Sequence, residues 1–279
     1  MPLNTQALSN KFAVAITGVD LSKELDEKLF NEIVDIFVKK QVLVFRDQHI
    51  EPQHQVAFSR RFGPLEMLYD EDQRVPGFPE VAILSNEKVD GKFIGVVAAG
   101  DFWHSDQSYR RETSLATLLY AHKLPKYGGD TEFANTAMGH AALAEATKRQ
   151  IEGLRVVFYW GAGAREPDAS PRSPADLRDN PPVDHPLVRT HPENGRKALY
   201  LGNHASHILG MPEAEGRALL DELLEHTTKP QFVYSHRWRI GDLVIWDNRC
   251  LLHRAVANYE IGRYRRVLHR SVVRGTVPF

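Results

Sequence analysis

The chain has a single cysteine in 279 residues and almost no excess of charge of either sign. It also has no apolar run approaching a membrane span. The lone thiol, Cys250, excludes an intrachain disulfide, and also a multi-cysteine zinc site or iron–sulfur cluster held by one chain; it suits a reducing compartment. With 35 basic against 36 acidic residues the formal net charge is −1. No basic surplus is available to neutralise phosphates, which argues against a nucleic-acid or membrane-surface partner. Met1-Pro2-Leu3-Asn4 offers no basic region leading into an apolar stretch, so no secretory leader is read there. The expectation is a soluble cytoplasmic protein whose partner is a small molecule.

What is present is ordinary globular composition, 42% hydrophobic and 25% charged, enough for a substantial core. Phe12 to Ile16 reads as a strand, and Val42-Leu43-Val44-Phe45 as a buried one. Between them, Leu25, Leu29, Ile33, Ile36 and Phe37 recur at helical spacing over 22–39, with Ser22 as the expected N-cap. Pro52 opens a second helix running towards Phe62 and ending at Gly63. From residue 81 onward short β-rich runs dominate: 81–84, 115–121, 154–159, 187–190, 198–201, 232–234, 243–246 and 267–273. Helical patches at 137–151 and 212–226 interrupt them. Many short strands with few long helices predict a mainly β fold with flanking helices, a sandwich or barrel. No repeat or linker divides the chain, so residues 1–279 read as one domain. The Pro-, Asp- and Arg-rich segment 161–182 reads as a long mobile surface loop, a candidate lid.

In His104-Ser105-Asp106 the first and third side chains of an extended segment point the same way, so an imidazole and a carboxylate can meet one ion. His253 follows a strand–turn–strand pattern, 243–246, Asp247-Asn248, then 250–253. Two imidazoles and one carboxylate are the ligand set of the facial triad that holds non-haem Fe(II) and leaves positions open. Among 13 histidines other groupings compete: His204 with His207, His185 with His191, and His49 with His54. A zinc hydrolase built on His204 and His207 stays open, although no His-Glu-x-x-His accompanies the pair. Arg266 and Arg270, four apart on a predicted strand, share one face, where a guanidinium fork can grip a carboxylate. The competing reading of the run Arg263-Tyr264-Arg265-Arg266 is a solvated basic edge.

Several motifs occur in register: Trp103-His104-Ser105-Asp106, Gly128-Gly129-Asp130-Thr131, Val188-Arg189-Thr190-His191-Pro192, Gly241 to Arg249, and Arg265 to Arg270. With Val42 to Arg46 and Arg61-Phe62-Gly63-Pro64-Leu65 they span nearly the whole chain. In that order they resemble the TauD/TfdA family of Fe(II)- and 2-oxoglutarate-dependent dioxygenases. The resemblance implies a double-stranded β-helix, the cupin-like jelly roll, with Fe(II) as cofactor and 2-oxoglutarate and O2 as co-substrates. It implies His104, Asp106 and His253 as metal ligands, and Thr131 and Arg266 as the holders of the distal carboxylate of 2-oxoglutarate. Trp246 would line the co-substrate site, and Arg270 would lie near both the co-substrate and the acidic group of the substrate. The stretch between His253 and Arg266 is longer than in similar members, so Arg265 is an alternative anchor.

The segment from Gly202 to Gly210, the surroundings of Phe133 and Gly63-Pro64-Leu65-Glu66 look more like the aryloxyalkanoate (2,4-D-type) branch than the taurine branch. Where taurine-type members carry a sulfonate-binding histidine, this chain has Glu66-Met67-Leu68-Tyr69. The lysine that follows Arg-Phe-Gly in the aryloxyalkanoate branch has no counterpart here. Leu68, Tyr69, Gln107, Tyr159, His204 and Arg270 are the candidate substrate residues, with Phe102, Phe158 and Trp160 as further apolar lining. The expected activity is hydroxylation of a small anionic, largely hydrophobic molecule, an aryloxyalkanoate-like carboxylate first. Alkyl sulfates, sulfonates or acylated amino acids are alternatives, as is a non-catalytic metal-binding sensor. The family also implies a homo-oligomer, dimer or tetramer.

Overall fold

Alternation of side chains along the strands splits the interior into layers. In the strand Leu243–Asp247, Leu243 and Ile245 join a core beneath two helices, whereas Val244 and Trp246 join a second core on the opposite face. The computed structural model describes residues 3–9, 12–67, 70–97, 100–160, 162 and 181–279. Leu68, Tyr69 and nearly all of the 161–182 loop lie outside them.

The main sheet has eight strands in the order Asn4–Ala7, Ala13–Thr17, Val42–Phe45, Leu243–Asp247, Ser114–Lys123, Val267–Arg274, Phe78–Ser85 and Arg74–Val75. Its one parallel pair, Ala13–Thr17 with Val42–Phe45, is joined through the helix Glu27–Lys40, the crossover such a pair requires. A second sheet faces it, in the order Val233–His236, Thr131–Asn135, Leu251–Ala255. His104 adds to that sheet's edge through an isolated antiparallel bridge to His253. Two facing, mostly antiparallel sheets with helices outside them are the expected jelly roll. The layer between the sheets contains Val44, Leu119, Phe133, Trp246 and Leu268. Behind the smaller sheet, Leu219, Leu220 and Leu223 of the helix Glu213–Thr227 pack with Leu252 and Ala134.

Local departures from expectation have local causes. The first long helix begins at Asp26 and not Ser22, because the Ser22 hydroxyl is taken by Asp20 (2.6 Å). The Asp26 carboxylate instead accepts from the Leu29 N–H (2.8 Å). Asp26→Ala should therefore lower stability by about 1 kcal/mol in urea unfolding, leaving the slope of the transition unchanged. The patch 137–151 is two helices, Thr136–Ala141 and Glu145–Ile151, and the break lets both Leu143 and Ile151 reach one core. Gly139 sits where a Cβ would lie 2.6 Å from the Thr227 hydroxyl, so the first of these helices rests directly on the end of Glu213–Thr227. The strands Thr131–Asn135, Val183–Pro186 and Ala205–Ile208 were not expected from the sequence. Among the described residues, no helix is long and apolar enough to cross a membrane.

Candidate metal centre

His104 and His253 face each other as a hydrogen-bonded antiparallel pair, exchanging N–H to carbonyl bonds of 3.1 and 2.8 Å. That pairing puts both imidazoles on one side, with ring centroids 4.1 Å apart. Asp106, two residues on, follows the same side. Its Oδ1 lies 3.7 Å from His104 Nε2 and its Oδ2 3.7 Å from His253 Nε2. One donor atom from each of the three lies within 4.8 Å of the others.

The protonation states suit a divalent cation. Burial lowers the pKa of His104, with Asp106 acting in the opposite direction. Burial and then the neighbouring His104 push His253 well down. Both rings are therefore neutral at pH 7. His104 Nδ1 lies 2.8 Å from the Phe102 carbonyl, which assigns its proton there and leaves the Nε2 lone pair facing Asp106. Burial alone would raise the Asp106 carboxyl, but Arg270, then His253 and His104, and the Thr117 hydroxyl hold it below the ordinary carboxylate range. Two neutral imidazoles and an ionised carboxylate, grouped on one side, fit a metal with open positions.

The competing clusters are otherwise occupied. His191, Asp247 and Cys250 also approach one another, but Arg249 spans both Asp247 oxygens at 2.8 and 2.7 Å and His191 holds one at 2.9 Å. A protein cation already neutralises that carboxylate, and burial keeps the Cys250 thiol protonated. His185 meets the Arg110 carbonyl, and His54 accepts from the Glu51 N–H at a helix start. Among the described residues His204 and His207 join no three-donor group, so nothing there resembles a hydrolase zinc site.

One cavity is lined by His104, His253, Thr131, Trp246, Arg266 and Arg270, with Leu84, Gly100, Leu119 and Ala255. The Trp246 ring lies 4.7 Å from that of His253. Arg266 donates from Nε to the Gly129 carbonyl (3.1 Å) and, among the described residues, has no carboxylate partner. Burial lowers its guanidinium to about 10, against the opposing pull of Tyr259 and Asp130, so it stays charged at pH 7. The turn beneath it needs glycine: at Gly128 (φ +72°) a Cβ would meet the Asn258 carbonyl at 2.2 Å, and at Gly129 (φ +71°) it would press on Arg266 at 3.2 Å. Arg265 is exposed. Arg270 shares the cavity as the four-residue spacing predicts, but its Nη2 donates to Asp106 Oδ1 at 2.8 Å. That bond ties it to the carboxylate of the three-donor group.

Three residues of the site carried no role in the sequence reading. Thr117 donates to Asp106 Oδ2 (2.5 Å) and accepts from Asn248 Nδ2 (2.9 Å). The Asn248 amide oxygen receives the Asp106 N–H (3.3 Å) and Trp246 Nε1–H (3.1 Å). Trp238 Nε1 donates to the Thr131 hydroxyl (3.0 Å). Asn248 stood inside a recognised motif and Thr117 is a small hydroxyl in an apolar run, so both had a faint signal.

On the substrate side the residues separate. The His204 ring lies 6.2 Å from His104, 6.0 Å from Phe102 and 5.1 Å from Tyr109, an aromatic wall beside the metal-facing imidazole. Tyr159 is half-buried and its N–H reaches the His204 carbonyl. Phe158 belongs to the core behind the smaller sheet, and Trp160 is exposed. Gln107 is buried in a left-handed turn (φ 55°) and does not line the cavity.

A family model described as taurine catabolism dioxygenase TauD, TfdA family, matches residues 4–272. Over 270 residues the chain is 42% identical to the alpha-ketoglutarate-dependent 2,4-dichlorophenoxyacetate dioxygenase of Cupriavidus pinatubonensis, covering 93% of each protein. It is 34% identical over 281 residues to the (S)-phenoxypropionate/alpha-ketoglutarate-dioxygenase of Sphingobium herbicidovorans, covering 95% of this chain and 93% of that protein. The crystal structure of AAD-2 in complex with Mn(II) and N-oxalylglycine superposes with a TM-score of 0.86 at 35% identity, covering 100% of this chain and 99% of that one.

Proposed function

The chain belongs to the TauD/TfdA family and is an Fe(II)/2-oxoglutarate-dependent dioxygenase, and on that premise we propose that it hydroxylates an aryloxyalkanoate-type carboxylate beside its ether oxygen. The observation that carries the reading is one cavity lined by His104 and His253 of the donor group together with a charged Arg266 that has no carboxylate partner among the described residues. Fe(II) with 2-oxoglutarate and O2 supplies the oxidation of a substrate C–H bond, yielding succinate and CO2.

The protein's own groups bind and orient. His104, Asp106 and His253 would hold the metal, and Arg270 and Thr117 each fix one Asp106 oxygen. Arg266 and Thr131 receive the distal carboxylate of 2-oxoglutarate, and Trp246 keeps the His253 ring in place. The wall of Phe102, Tyr109 and His204 suits an aromatic ring, which gains from edge-to-face contact. His204 and Arg270 are the basic groups at hand for the substrate carboxylate. A hydroxyl placed beside an ether oxygen makes a hemiacetal, which collapses to a phenol and a 2-oxo acid.

Succinate formation and O2 uptake across aryloxy acids, sulfonates, alkyl sulfates and acylated amino acids test this. An aryloxy acid should raise 2-oxoglutarate-dependent O2 uptake most, with release of the phenol. A response confined to sulfates or sulfonates would sink the substrate assignment. No uptake with any of them would also fail the substrate assignment.

A further inference from the structure

The Thr131 hydroxyl is oriented by a residue outside every motif that points to the site. Trp238 Nε1 donates to Thr131 Oγ1 at 3.0 Å. An indole N–H can only donate, whereas a threonine hydroxyl has one hydrogen and two acceptor lone pairs. With a lone pair occupied by the indole, the hydroxyl hydrogen is left to point elsewhere. Among the described residues Thr131 Oγ1 has no other hydrogen bond, and Thr131 lines the cavity beside Arg266. We propose that Trp238 is a positioning residue that turns the Thr131 hydroxyl into a donor aimed at the distal carboxylate of 2-oxoglutarate. This rests on the assignment of Thr131 and Arg266 to that carboxylate.

The indole packs on a half-buried chain of side chains centred on His236. His236 lies directly opposite Thr131 in the strand pairing, and Trp238 follows two residues later. Its ring meets the His236 ring edge-on, with centroids 4.6 Å apart at 87°. Tyr234 Oη lies 3.0 Å from His236 Nδ1, and Asp242 Oδ2 lies 3.2 Å from Nε2. Asp242 is itself paired with Arg46 and accepts from the Arg239 N–H (2.8 Å). His236 and Asp242 are fully buried. The His236 ring is thus placed by its packing against the indole and by the Tyr234 hydroxyl, which limits reorientation of Trp238. An unaided threonine hydroxyl could present its oxygen to the carboxylate and repel it. The indole N–H occupies one of that oxygen's two lone pairs before any ligand arrives, and so favours the orientation in which the hydrogen faces the carboxylate.

The test is anaerobic titration of the Fe(II)-loaded protein, read by the visible charge-transfer absorption of the bound 2-oxo acid. In Trp238→Phe, which leaves the Thr131 hydroxyl in place but unheld, the Kd for 2-oxoglutarate should rise about fivefold, part of the worth of one hydrogen bond to a charged group. The Kd for 2-oxobutyrate, which lacks the distal carboxylate, should not change. Adding Trp238→Phe to Thr131→Val should produce no further rise, since Trp238 acts through the Thr131 hydroxyl. Trp238→His, which retains a ring N–H, should recover part of the loss and serves where the phenylalanine variant does not fold. A parallel weakening of both 2-oxo acids, or additive losses in the double variant, would overturn the positioning role. If Thr131→Val alone leaves 2-oxoglutarate binding unchanged, the co-substrate assignment itself fails, and the inference with it.

Discussion

Asp106→Asn should cost the protein both its metal and part of its stability. The substitution removes the one negative charge of the donor group, and Fe(II) affinity should fall about a thousandfold, or about 4 kcal/mol. It also leaves Arg270 Nη2 facing a neutral amide where it met a carboxylate, in a place where that side chain is only 12% exposed. Removing one member of a buried pair costs about 3 kcal/mol, so the chelator-treated protein should unfold at clearly lower denaturant. The sign of the pH dependence follows from the direction of the shift. The folded Asp106 carboxyl titrates below its ordinary value, so its contribution is fully present above about pH 4 and fades as pH falls further. The stability gap between wild type and variant should therefore be constant near neutrality and narrow in acid. Anaerobic metal titration and unfolding curves at two pH values check both halves. Undiminished iron binding by Asp106→Asn would refute the assignment of this carboxylate.

Arg266→Met should raise the Kd for 2-oxoglutarate about a hundredfold, or about 2.7 kcal/mol, while leaving metal affinity unchanged. The guanidinium faces a cavity it shares with the metal-facing groups but makes no contact with Asp106, whereas Arg270 does. Arg265→Ala should change neither quantity, because that side chain is exposed. Arg266→Lys should recover only part of the loss, since a point charge cannot reproduce a planar fork on a carboxylate. Titration with N-oxalylglycine in the presence of Mn(II) reads these affinities without turnover. A loss in the Arg265 variant with normal binding in the Arg266 variant would reverse the assignment.

Strands written as continuous apolar runs were legible along the chain. The strand Val42–Phe45 has the bounds its apolar run predicts, and the Leu243–Asp247 strand extends its run by one residue. Thr131–Asn135 escaped notice because Thr-Glu-Phe-Ala-Asn has no marked alternation; it is a strand because two neighbours pair with it. The start of the first long helix was misjudged among nearby capping candidates, since nothing local shows that Asp20 already occupies the Ser22 hydroxyl.

The donor group was readable because its pattern is likewise local. The two-residue spacing of His104 and Asp106, and the four-residue spacing of Arg266 and Arg270, are statements about one extended segment, and backbone geometry alone puts each pair on one face. Which of the competing histidines completes the group, and what each arginine touches, depend on strand pairing across long separations. Arg270 meets Asp106 across 164 positions, Asn248 meets Asp106 across 142, and Trp238 meets Thr131 across 107. No local period reports such contacts. They arise from the register of two facing sheets, which sets the partners of the Asp106 carboxylate and of the Thr131 hydroxyl.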